Sequence, residues 1–346
     1  MHSELAGRSI LLTGAGGSLG SALTKAIIQL EPRQLILLDH SERNLYEIDS
    51  ELTALIPCVP VTSVLGDICD AALLTEIFDR YRPEIVYHAA AFKHVPLMEN
   101  NPFAAVRNNA LATASLARIA QAQGVTNFVM VSTDKAVNPI SIMGASKRVA
   151  ELALLTLNSP RNRMSAVRLA NVLGSRGSVV PMFLTQISQG GPVTVTHQEV
   201  SRYFLTMGEA VDLILLATGL DESGGVFVPR LGGAVKILDI ATELIEDNRT
   251  ESRKDIAVTF TGLRPGDKMS EEFLSKDEST HPTNDPRLLR VETAKIPTGT
   301  FNDQMADLSR CVNERNLTAM IETLCRIIPE YRPSDLVSRL TQESPV

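Results

Sequence analysis

Short apolar runs alternate with longer helical patterns along the first 170 residues of this chain. The apolar runs with strand character are residues 9–13, 34–38, 60–65, 85–89, 127–132 and 164–169, of which 60–65 is the weakest. Apolar residues recur at helical spacing in residues 18–30, 71–81, 104–123 and 142–157. Strands that alternate with helices of about 10–15 residues are typical of βαβ units, so we predict an α/β fold with a doubly wound parallel sheet.

Composition narrows the possible classes of protein. The 346 residues include 33 Lys and Arg against 40 Asp and Glu, which gives a formal net charge of −7, and 44% of the residues are hydrophobic. These proportions exclude wholesale disorder, and the acidic balance argues against a general nucleic-acid binder. The four cysteines form no C-x-x-C pattern, so we expect neither a disulfide framework nor a metal site. Because the sequence has no secretory signal and no apolar stretch of about 18 residues, we expect a cytoplasmic protein without a membrane span.

A glycine motif lies between the first predicted strand and the first predicted helix. Gly14, Gly17 and Gly20 form G-x-x-G-x-x-G, which lets the backbone approach a pyrophosphate at the helix N-terminus. Asp39 ends the second strand, where a carboxylate would bind the adenosine ribose and repel a 2′-phosphate. The motif therefore predicts a Rossmann-type domain that binds NAD in preference to NADP, although Arg43 nearby would soften that preference. The alternative is a purely structural glycine turn.

Other residues at the same sheet edge extend this predicted cofactor site. Asp67 ends the third strand and could reach the adenine, or it could form an Asx turn that opens the next helix. The alanines after the fourth strand leave room for a cofactor, or they could serve tight helix packing. The predicted cofactor contacts at this edge are Thr13, Gly14, Gly16, Gly17, Ser18, Leu19, Gly20, Asp39, Arg43, Asp67, Ile68, Ala89, Ala90 and Ala91.

The character of the sequence changes after about residue 170, where glycine and proline separate shorter elements. We predict a dinucleotide-binding domain over residues 1–170, to which residues of about 206–230 return. A discontinuous substrate-binding lobe is predicted over residues 171–300, and a C-terminal helical segment over residues 301–346. Residues 275–300 are polar and contain three prolines, so we expect them to be mobile or irregular.

Several longer segments resemble a known family. Residues 13–20, 88–91, 108 and 132–147 resemble the extended short-chain dehydrogenase/reductase superfamily. More narrowly, the chain looks like the nucleotide-sugar 4,6-dehydratases of the CapD-like polysaccharide-biosynthesis group. The segments that carry this resemblance are LDHSE (38–42), KHVPLME (93–99), STDKAVNP (132–139), MGASKR (143–148), NVLGSRGSVVP (171–181), SRYF (201–204) and GLRPGDK (262–268). Members of this group often carry an N-terminal membrane region, and we expect this chain to be a soluble form without it.

The chemistry expected of this family rests on the end of the fifth strand. The superfamily usually carries Tyr-x-x-x-Lys, but here Met143 stands at the Tyr position while Lys147 remains. A thioether cannot exchange a proton. In the CapD-like group, which resembles this sequence in that substitution, the Thr133-Asp134-Lys135 triplet takes over the acid–base work. An amine beside a carboxylate at the carboxyl edge of the sheet suits that work, although a helix cap with a solvated ion pair is the alternative.

The resemblance implies a UDP-N-acetylglucosamine 4,6-dehydratase, a lyase. The C4 hydroxyl is oxidised by hydride transfer to NAD, Lys135 removes the C5 proton, Asp134 protonates the departing C6 hydroxyl, and the hydride returns to C6. Thr133 and Lys147 would polarise the C4 hydroxyl, and Lys147 would also hold the nicotinamide ribose. The group that deprotonates the C4 hydroxyl stays open.

The expected substrate is a UDP-sugar, because the resemblance implies contacts to its sugar, its pyrophosphate and its uracil. Arginine offers a rigid fork for phosphate oxygens, although Arg202 could equally make an ordinary ion pair. The two adjacent valines would frame the uracil or simply belong to the core. The expected substrate contacts are Lys93, His94, Asn171, Val179, Val180, Thr194, Arg202 and Arg264.

Two other functions stay open. One is a sister reaction on the same scaffold, either a dehydratase that also epimerises C5 or another UDP-sugar epimerase. The other is a catalytically silent dinucleotide-binding sensor or scaffold, which the loss of the tyrosine would favour. We also expect a homo-oligomer, because extended relatives commonly pair through helices like those at residues 104–123 and 142–157.

Overall fold

The computed structural model describes residues 2–55, 59–220, 224–248, 256–293 and 297–343. Its strands are β1 (Ser9–Thr13), β2 (Gln34–Asp39), β3 (Val61–Leu65), β4 (Ile85–His88), β5 (Asn127–Thr133), β6 (Arg163–Leu169), β7 (Asn171–Val172), β8 (Val193–Val195), β9 (Ser201–Arg202), β10 (Phe204–Leu205), β11 (Gly225–Pro229), β12 (Val235–Lys236), β13 (Val258–Phe260), β14 (Ser279–Pro282) and β15 (Leu288–Glu292).

The α-helices are α1 (His2–Leu5), α2 (Ser18–Ile28), α3 (Glu42–Leu55), α4 (Ala71–Tyr81), α5 (Val95–Glu99), α6 (Pro102–Ala105), α7 (Thr113–Ala122), α8 (Ile142–Leu157), α9 (Val179–Ser188), α10 (Met207–Thr218), α11 (Ile237–Asp247), α12 (Thr298–Asn313), α13 (Leu317–Ile327) and α14 (Asp335–Glu343). A π-helical segment, Val106–Ala112, joins α6 to α7, and a single 3-10 turn, Asp134–Ala136, follows β5.

A nine-stranded sheet forms the centre of the molecule, in the order β14-β15-β11-β6-β5-β4-β1-β2-β3. All neighbours from β3 to β11 are parallel, whereas β15 and β14 add two antiparallel strands at one edge. The strand order reverses between β1 and β4, and in open α/β sheets a crevice for ligands forms at that point. The predicted doubly wound parallel sheet is confirmed.

The residues of β1 are buried along the whole strand, and so are those of β4, as expected for parallel strands covered by helices on both faces. The element α10 packs against α2 on one face, and β11 pairs with β6 in the same sheet. The chain thus returns to the central sheet at α10 and β11 after it has built part of a smaller lobe, and it enters that lobe again at β12.

The sequence pattern differs from the structure at three elements. Residues 275–300 were expected to be irregular, but β14 and β15 form an antiparallel hairpin that extends the central sheet. Polar residues suit this hairpin because it lies at the edge of the sheet, and Leu288 and Val291 supply its buried face. The pattern also did not predict α3, and the helix expected at 104–123 contains the π-helical segment.

The smaller lobe contains three two-stranded pairings, β7 with β10, β9 with β12, and β8 with β13, together with α9 and α11. Phe183 and Ile187 of α9 pack with Val193, Val195 and Ala241 in a separate apolar cluster. This lobe faces the carboxyl ends of the central strands.

The C-terminal helices α12 and α13 cover α8. Phe301, Leu308 and Met320 are fully buried in one cluster with Ile142 and Val149 of α8. All residues of α8 from 142 to 154 are buried within the single chain. This helix is one of the two through which we expected pairing, and the homo-oligomer stays a prediction. Among the described residues, no helix is long and apolar enough to cross a membrane.

Candidate active site

A cavity of about 620 Å³ lies at the carboxyl ends of the central strands, between the sheet and the smaller lobe. A second cavity of about 180 Å³ adjoins it near the ends of β2 and β3. The glycine loop after β1 and the alanines after β4 line both cavities. Together the two cavities occupy the position where the strand order reverses.

The glycine loop has no room for a side chain at three of its positions, and at Gly16 a Cβ would lie 2.5 Å from the backbone carbonyl carbon of Asn44. A Cβ on Gly20 would lie 1.9 Å from the carbonyl oxygen of Gly14, so α2 could not start so close to the loop. Gly14 has a φ of +71°, and a Cβ there would lie 2.6 Å from the backbone nitrogen of Ala90. The backbones of the loop, of α2 and of the chain after β4 are therefore packed directly against one another.

The N-terminus of α2 faces the larger cavity through Ser18, Leu19 and Gly20. The N-cap residue, Gly17, provides no side-chain hydrogen bond, so the first amides of this 11-residue helix keep their capacity to bind an anion. This glycine-lined loop fits the pyrophosphate of a dinucleotide.

Asp39 lies at the end of β2 and faces the smaller cavity together with Ile68. Its side chain is buried; Oδ2 accepts a hydrogen bond from the backbone N–H of Gly16 at 2.9 Å, and Oδ1 accepts one from Ser41 at 2.9 Å. The carboxylate is thus fixed by the glycine loop that it adjoins. Gly16 supports Asp39 and lines neither cavity.

Two predicted cofactor residues do not reach the cavities. Thr13 is fully buried, and its hydroxyl lies 2.7 Å from Nδ1 of the equally buried His88. The side chain of Thr13 is engaged by the neighbouring strand β4, which explains the difference. Arg43 is on the exposed face of α3, where it pairs with Glu47 at 2.9 Å.

Two further predicted contacts are also engaged elsewhere. Asp67 accepts a hydrogen bond from the backbone N–H of Cys69 at 2.8 Å, so it forms the Asx turn that was the alternative interpretation. Thr194 lies in β8 of the smaller lobe, and its hydroxyl accepts a 2.7 Å hydrogen bond from Gln186. Neither residue lines either of the two cavities described above.

The residues after β5 form a tight polar cluster. Oδ1 of Asp134 accepts hydrogen bonds from Thr133 Oγ1 and from Lys135 Nζ, each at 2.9 Å, and Lys135 Nζ also donates to Asn171 Oδ1 at 3.2 Å. Thr133, Lys135 and Asn171 line the larger cavity. Asp134 is fully buried behind them, and its Oδ2 has no hydrogen-bond partner. Direct contact between Asp134 and a substrate, as the sequence led us to expect, is therefore absent from this arrangement.

The charge on Lys135 depends on two carboxylates. Burial disfavours the ammonium, but Asp134 and Glu271 outweigh that effect and raise the pKa of Lys135 above its ordinary value. Lys135 is therefore an ammonium ion at neutral pH in the substrate-free protein. Glu271, at 3.6 Å from Lys135 Nζ, was not among the residues expected from the sequence.

Met143 and Lys147 lie one turn apart on α8, and both line the larger cavity. Both are buried, at 4% exposure. No described side chain lies at hydrogen-bond or ion-pair distance from Lys147 Nζ. Burial lowers the pKa of Lys147 to about 8, although Glu151 opposes the effect, so part of the Lys147 population is a free amine near neutral pH.

A buried network supports this edge of the sheet from behind. Glu151 of α8 accepts hydrogen bonds from Ser132 Oγ at 2.6 Å and from the Arg168 guanidinium at 2.9 and 3.0 Å. The same guanidinium pairs with Glu278 at 2.8 Å. The strand that ends in the polar cluster is thereby tied to α8, β6 and the segment before β14.

The opposite wall of the larger cavity comes from the smaller lobe. Arg202 is buried, and its guanidinium donates to the backbone carbonyls of residues 201, 268 and 269. Arg264 is more exposed and pairs with Asp267 at 2.7 Å. Seven of the eight expected substrate contacts line this cavity: Lys93, His94, Asn171, Val179, Val180, Arg202 and Arg264.

Arg176 also lines the cavity, although the sequence pattern gave it no role. Its guanidinium donates to the carbonyl oxygen of Gly16 at 3.2 Å and to Asn44 Oδ1 at 2.8 Å. Lys93 Nζ donates to the carbonyl oxygen of Arg176 at 2.8 Å. The sequence signal that could have identified Arg176 is its position between Gly174 and Gly177, in a segment that already carried the family resemblance. In the described part of the chain, no group of three or more His, Cys, Asp or Glu residues could hold a metal ion.

Comparison with known proteins identifies the family to which this chain belongs. The sequence profile described as "Polysaccharide biosynthesis protein" matches residues 10–293. The capsular polysaccharide biosynthesis protein CapD of Staphylococcus aureus is 48% identical over 285 residues, which are 81% of this chain and 47% of that protein. This chain thus spans about half the length of that relative.

More distant relatives carry the names of two reactions. UDP-N-acetylglucosamine 4,6-dehydratase (inverting) of Campylobacter jejuni is 30% identical over 278 residues, which are 79% of each chain. UDP-glucose 4-epimerase of Rickettsia massiliae is also 30% identical, over 78% of this chain and 79% of that protein. The solved structure of Pen from Bacillus thuringiensis superposes with a TM-score of 0.75 at 25% identity, over 87% of this chain and 98% of that chain. The resemblance read from the motifs is confirmed: this chain belongs to the polysaccharide biosynthesis protein family that includes CapD.

Proposed function

We propose that this chain is a nucleotide-sugar 4,6-dehydratase that acts on UDP-N-acetylglucosamine with a nicotinamide dinucleotide as internal redox cofactor. The observation that carries the proposal is the cluster of Thr133, Asp134 and Lys135, in which Thr133 and Lys135 face the same cavity as the glycine loop and Asp134 lies behind them. The Campylobacter jejuni relative, which bears the name of this reaction, supports it. The acid–base pair and the dinucleotide loop together supply what an elimination with internal hydride transfer requires.

The cofactor would lie along both cavities. The glycine loop and the N-terminus of α2 would bind its pyrophosphate, Asp39 the adenosine ribose, and Lys147 the nicotinamide ribose. When bound, its nicotinamide ring accepts a hydride from the sugar and gives one back. We favour NAD over NADP, because Asp39 faces the smaller cavity whereas Arg43 is engaged by Glu47 outside it.

The pair formed by Lys135 and Asp134 can run the elimination and return to its starting state. A proton passed along the 2.9 Å hydrogen bond from Lys135 Nζ to Asp134 Oδ1 leaves a free amine and a carboxylic acid. The amine takes the C5 proton of the sugar. The acid gives its proton through Thr133 Oγ1 to the departing C6 hydroxyl, which leaves as water. Lys135 is then an ammonium ion beside a carboxylate. When the hydride returns to C6, Lys135 gives a proton to C5 of the resulting enolate, and uptake of a solvent proton restores the starting state.

The missing tyrosine leaves the C4 hydroxyl without its usual base, and we assign that role to Lys147. Its amine lies in the larger cavity with no hydrogen-bond partner among the described residues, and its pKa is lowered to about 8. A base with a pKa near the operating pH is well suited to accept a hydroxyl proton. Met143 then contributes an apolar wall beside it.

The substrate's diphosphate would lie against the wall from the smaller lobe. Arg202 and Arg264 supply the cations, and Asn171 and Lys93 supply further hydrogen bonds. Val179 lines the same wall and would contact the uracil. The overall charge of −7 is compatible with this anionic substrate, because the cations lie locally within the cavity.

The observation that favours this reaction over C4 epimerisation is the partly buried amine–carboxylate pair of Lys135 and Asp134. A C4 epimerase has no leaving C6 hydroxyl and so needs no acid to protonate it. In this chain, the pair of Asp134 and Lys135 provides such an acid. The name of the Rickettsia massiliae relative keeps the epimerase as the second candidate. Epimerisation at C5 is decided by which face of that carbon receives the returning proton.

The test is product analysis by NMR after incubation of the chain with UDP-N-acetylglucosamine and NAD in D2O. We expect a 4-keto-6-deoxy sugar with solvent deuterium at C5, whose configuration the coupling constants report. Lys135→Ala should lower turnover by at least about 100-fold and still bind the dinucleotide. The matched control is Lys236→Ala, since Lys236 is an exposed lysine that pairs with Glu199. A wild-type chain that forms no keto sugar and no C5 deuterium would contradict the proposal.

A further inference from the structure

Glu271 is a buried carboxylate surrounded by cations at the junction of the two walls of the larger cavity. It lies in the irregular segment between β13 and β14, and its side chain is only 2% exposed. Its Oε1 is 3.6 Å from Lys135 Nζ and 3.7 Å from Arg202 Nε, and its Oε2 is 3.8 Å from Lys268 Nζ. One carboxylate thus faces three cations, one from the turn after β5, one from β9 and one from its own segment.

None of these contacts is a close hydrogen bond, because each cation is held by other acceptors. Lys135 donates to Asp134 and Asn171, Arg202 donates to three backbone carbonyls, and Lys268 donates to the carbonyl oxygen of Val137 at 2.7 Å. Oε2 of Glu271 is fully buried and has no hydrogen-bond partner. Glu271 therefore acts on its neighbours through its charge.

The negative charge of Glu271 offsets the repulsion among the cations that lie around it. Lys135, Arg202 and Lys268 bring three positive charges. Asp134 pairs with Lys135, and Glu272 lies on the side of Lys268. Like charges within a few ångströms in a poorly solvated site repel strongly. Without Glu271, Lys135 would be repelled from Arg202 and away from its position between Asp134 and Asn171.

We propose that Glu271 is a positioning residue, which holds Lys135 beside Asp134 and fixes the charge balance between the proton-transfer cluster and the cations of the smaller lobe. The part of this inference that concerns turnover rests on the function proposed above. The groups that face Lys135 are Asp134 from the same turn, Asn171 from β7, Arg202 from β9, and Glu271 and Lys268 from the segment before β14. Glu271 is the member that joins the two walls.

Glu271→Gln keeps the shape of the side chain and removes the charge. Loss of a nearby negative charge disfavours the ammonium, so the pH at which Lys135 becomes a free amine should fall by about one pH unit. This midpoint can be measured without substrate, by pulsed acetylation of the folded protein across pH and peptide-resolved mass spectrometry of Lys135. In turnover of UDP-N-acetylglucosamine, the acidic limb of kcat should move in the same direction. Glu271→Asp should restore most of the wild-type midpoint.

The matched control is Glu272→Gln, because Glu272 is the adjacent carboxylate but is exposed and accepts a hydrogen bond from Asn138. It should leave the Lys135 midpoint unchanged. A lower midpoint in Glu271→Gln alone supports the proposal whether or not the wild type turns over this sugar. An unchanged midpoint overturns it, even if turnover falls, since Glu271 would then be merely structural. A wild type that is inactive on the sugar refutes the proposed function and not this inference.

Discussion

Lys147 is a residue at which activity and stability oppose each other. Its amine is 4% exposed and, within the described ranges, has no hydrogen-bond or ion-pair partner. Burial of a charged group without a partner is unfavourable, which is why its pKa falls to about 8 from the ordinary 10.5. Shifted pKa values of this kind are common at functional sites. Because Lys147 lines the larger cavity, its amine is placed to accept a proton from a substrate.

Lys147→Met should make the protein more stable at pH 7 while abolishing turnover. Because the pKa of Lys147 is lower in the folded chain, the unfolded chain binds this proton more tightly. The wild-type penalty is therefore fully present below pH 8 and disappears as the pH rises to about 10.5. The variant should gain up to about 3 kcal/mol in free energy of unfolding at pH 7 and less at pH 9.5. Urea denaturation at the two pH values measures the difference.

Lys25→Met provides the comparison, since Lys25 is a half-exposed lysine on α2 that pairs with Glu51 at the surface. Its removal should change the free energy of unfolding by less than about 1 kcal/mol, with little dependence on pH over this range. Destabilisation of Lys147→Met at pH 7 would mean that the ammonium makes a favourable contact, and the assignment of Lys147 as a base would lose its physical support.

At the scale of elements, the start of α2 depends on backbone contact with the loop before it. The Cα of Gly20 lies so close to the carbonyl of Gly14 that a methyl group has no place. Gly208, near the start of α10, gives the opposite case, because a Cβ there would meet nothing within 4 Å. The two glycines are both helical and differ only in what surrounds them.

Gly20→Ala should lower the free energy of unfolding by about 2 kcal/mol or more, because α2 must shift away from the loop. Dinucleotide affinity, followed by isothermal titration calorimetry, should fall with it. Gly208→Ala should instead raise stability by up to about 1 kcal/mol, since alanine favours a helix and creates no clash. Equal effects of the two substitutions on denaturant unfolding would show that close approach at Gly20 is unimportant.

The sequence predicted the elements whose pattern is local. Hydrophobic periodicity located α4 and α8 at their observed bounds, and the adjacency of Thr133, Asp134 and Lys135 to β5 placed a polar cluster at the sheet edge. The direction in which Asp134 points could not be predicted, because it depends on how the turn packs against α8. Glu271 could not be identified either, because its cations are distant in sequence and its own segment has no periodic pattern.

At the scale of the whole molecule, a segment outside the family match supports the candidate active site. The family profile ends at residue 293, yet Phe301 and Met320 pack with Met143 in one apolar cluster. Arg148 of α8 pairs with Glu330 at 3.5 Å. The helix that carries Met143 and Lys147 is therefore held on one side by the sheet and on the other by the C-terminal helices.

Phe301→Ala tests whether the packing of the C-terminal helices stabilises α8 and the candidate active site. Phe301 is fully buried, so its truncation should lower the free energy of unfolding by about 3–5 kcal/mol. Because the same cluster holds α8, hydrogen exchange should accelerate in residues 142–157 as well as in α12, and the KM for the sugar should change less than kcat. The control is Phe260→Ala, since Phe260 is a half-exposed residue of β13, and this change should leave exchange in α8 unaltered. If acceleration stayed confined to α12–α14, the C-terminal helices would be an independent unit that opens without the catalytic helix, and activity would survive their loosening.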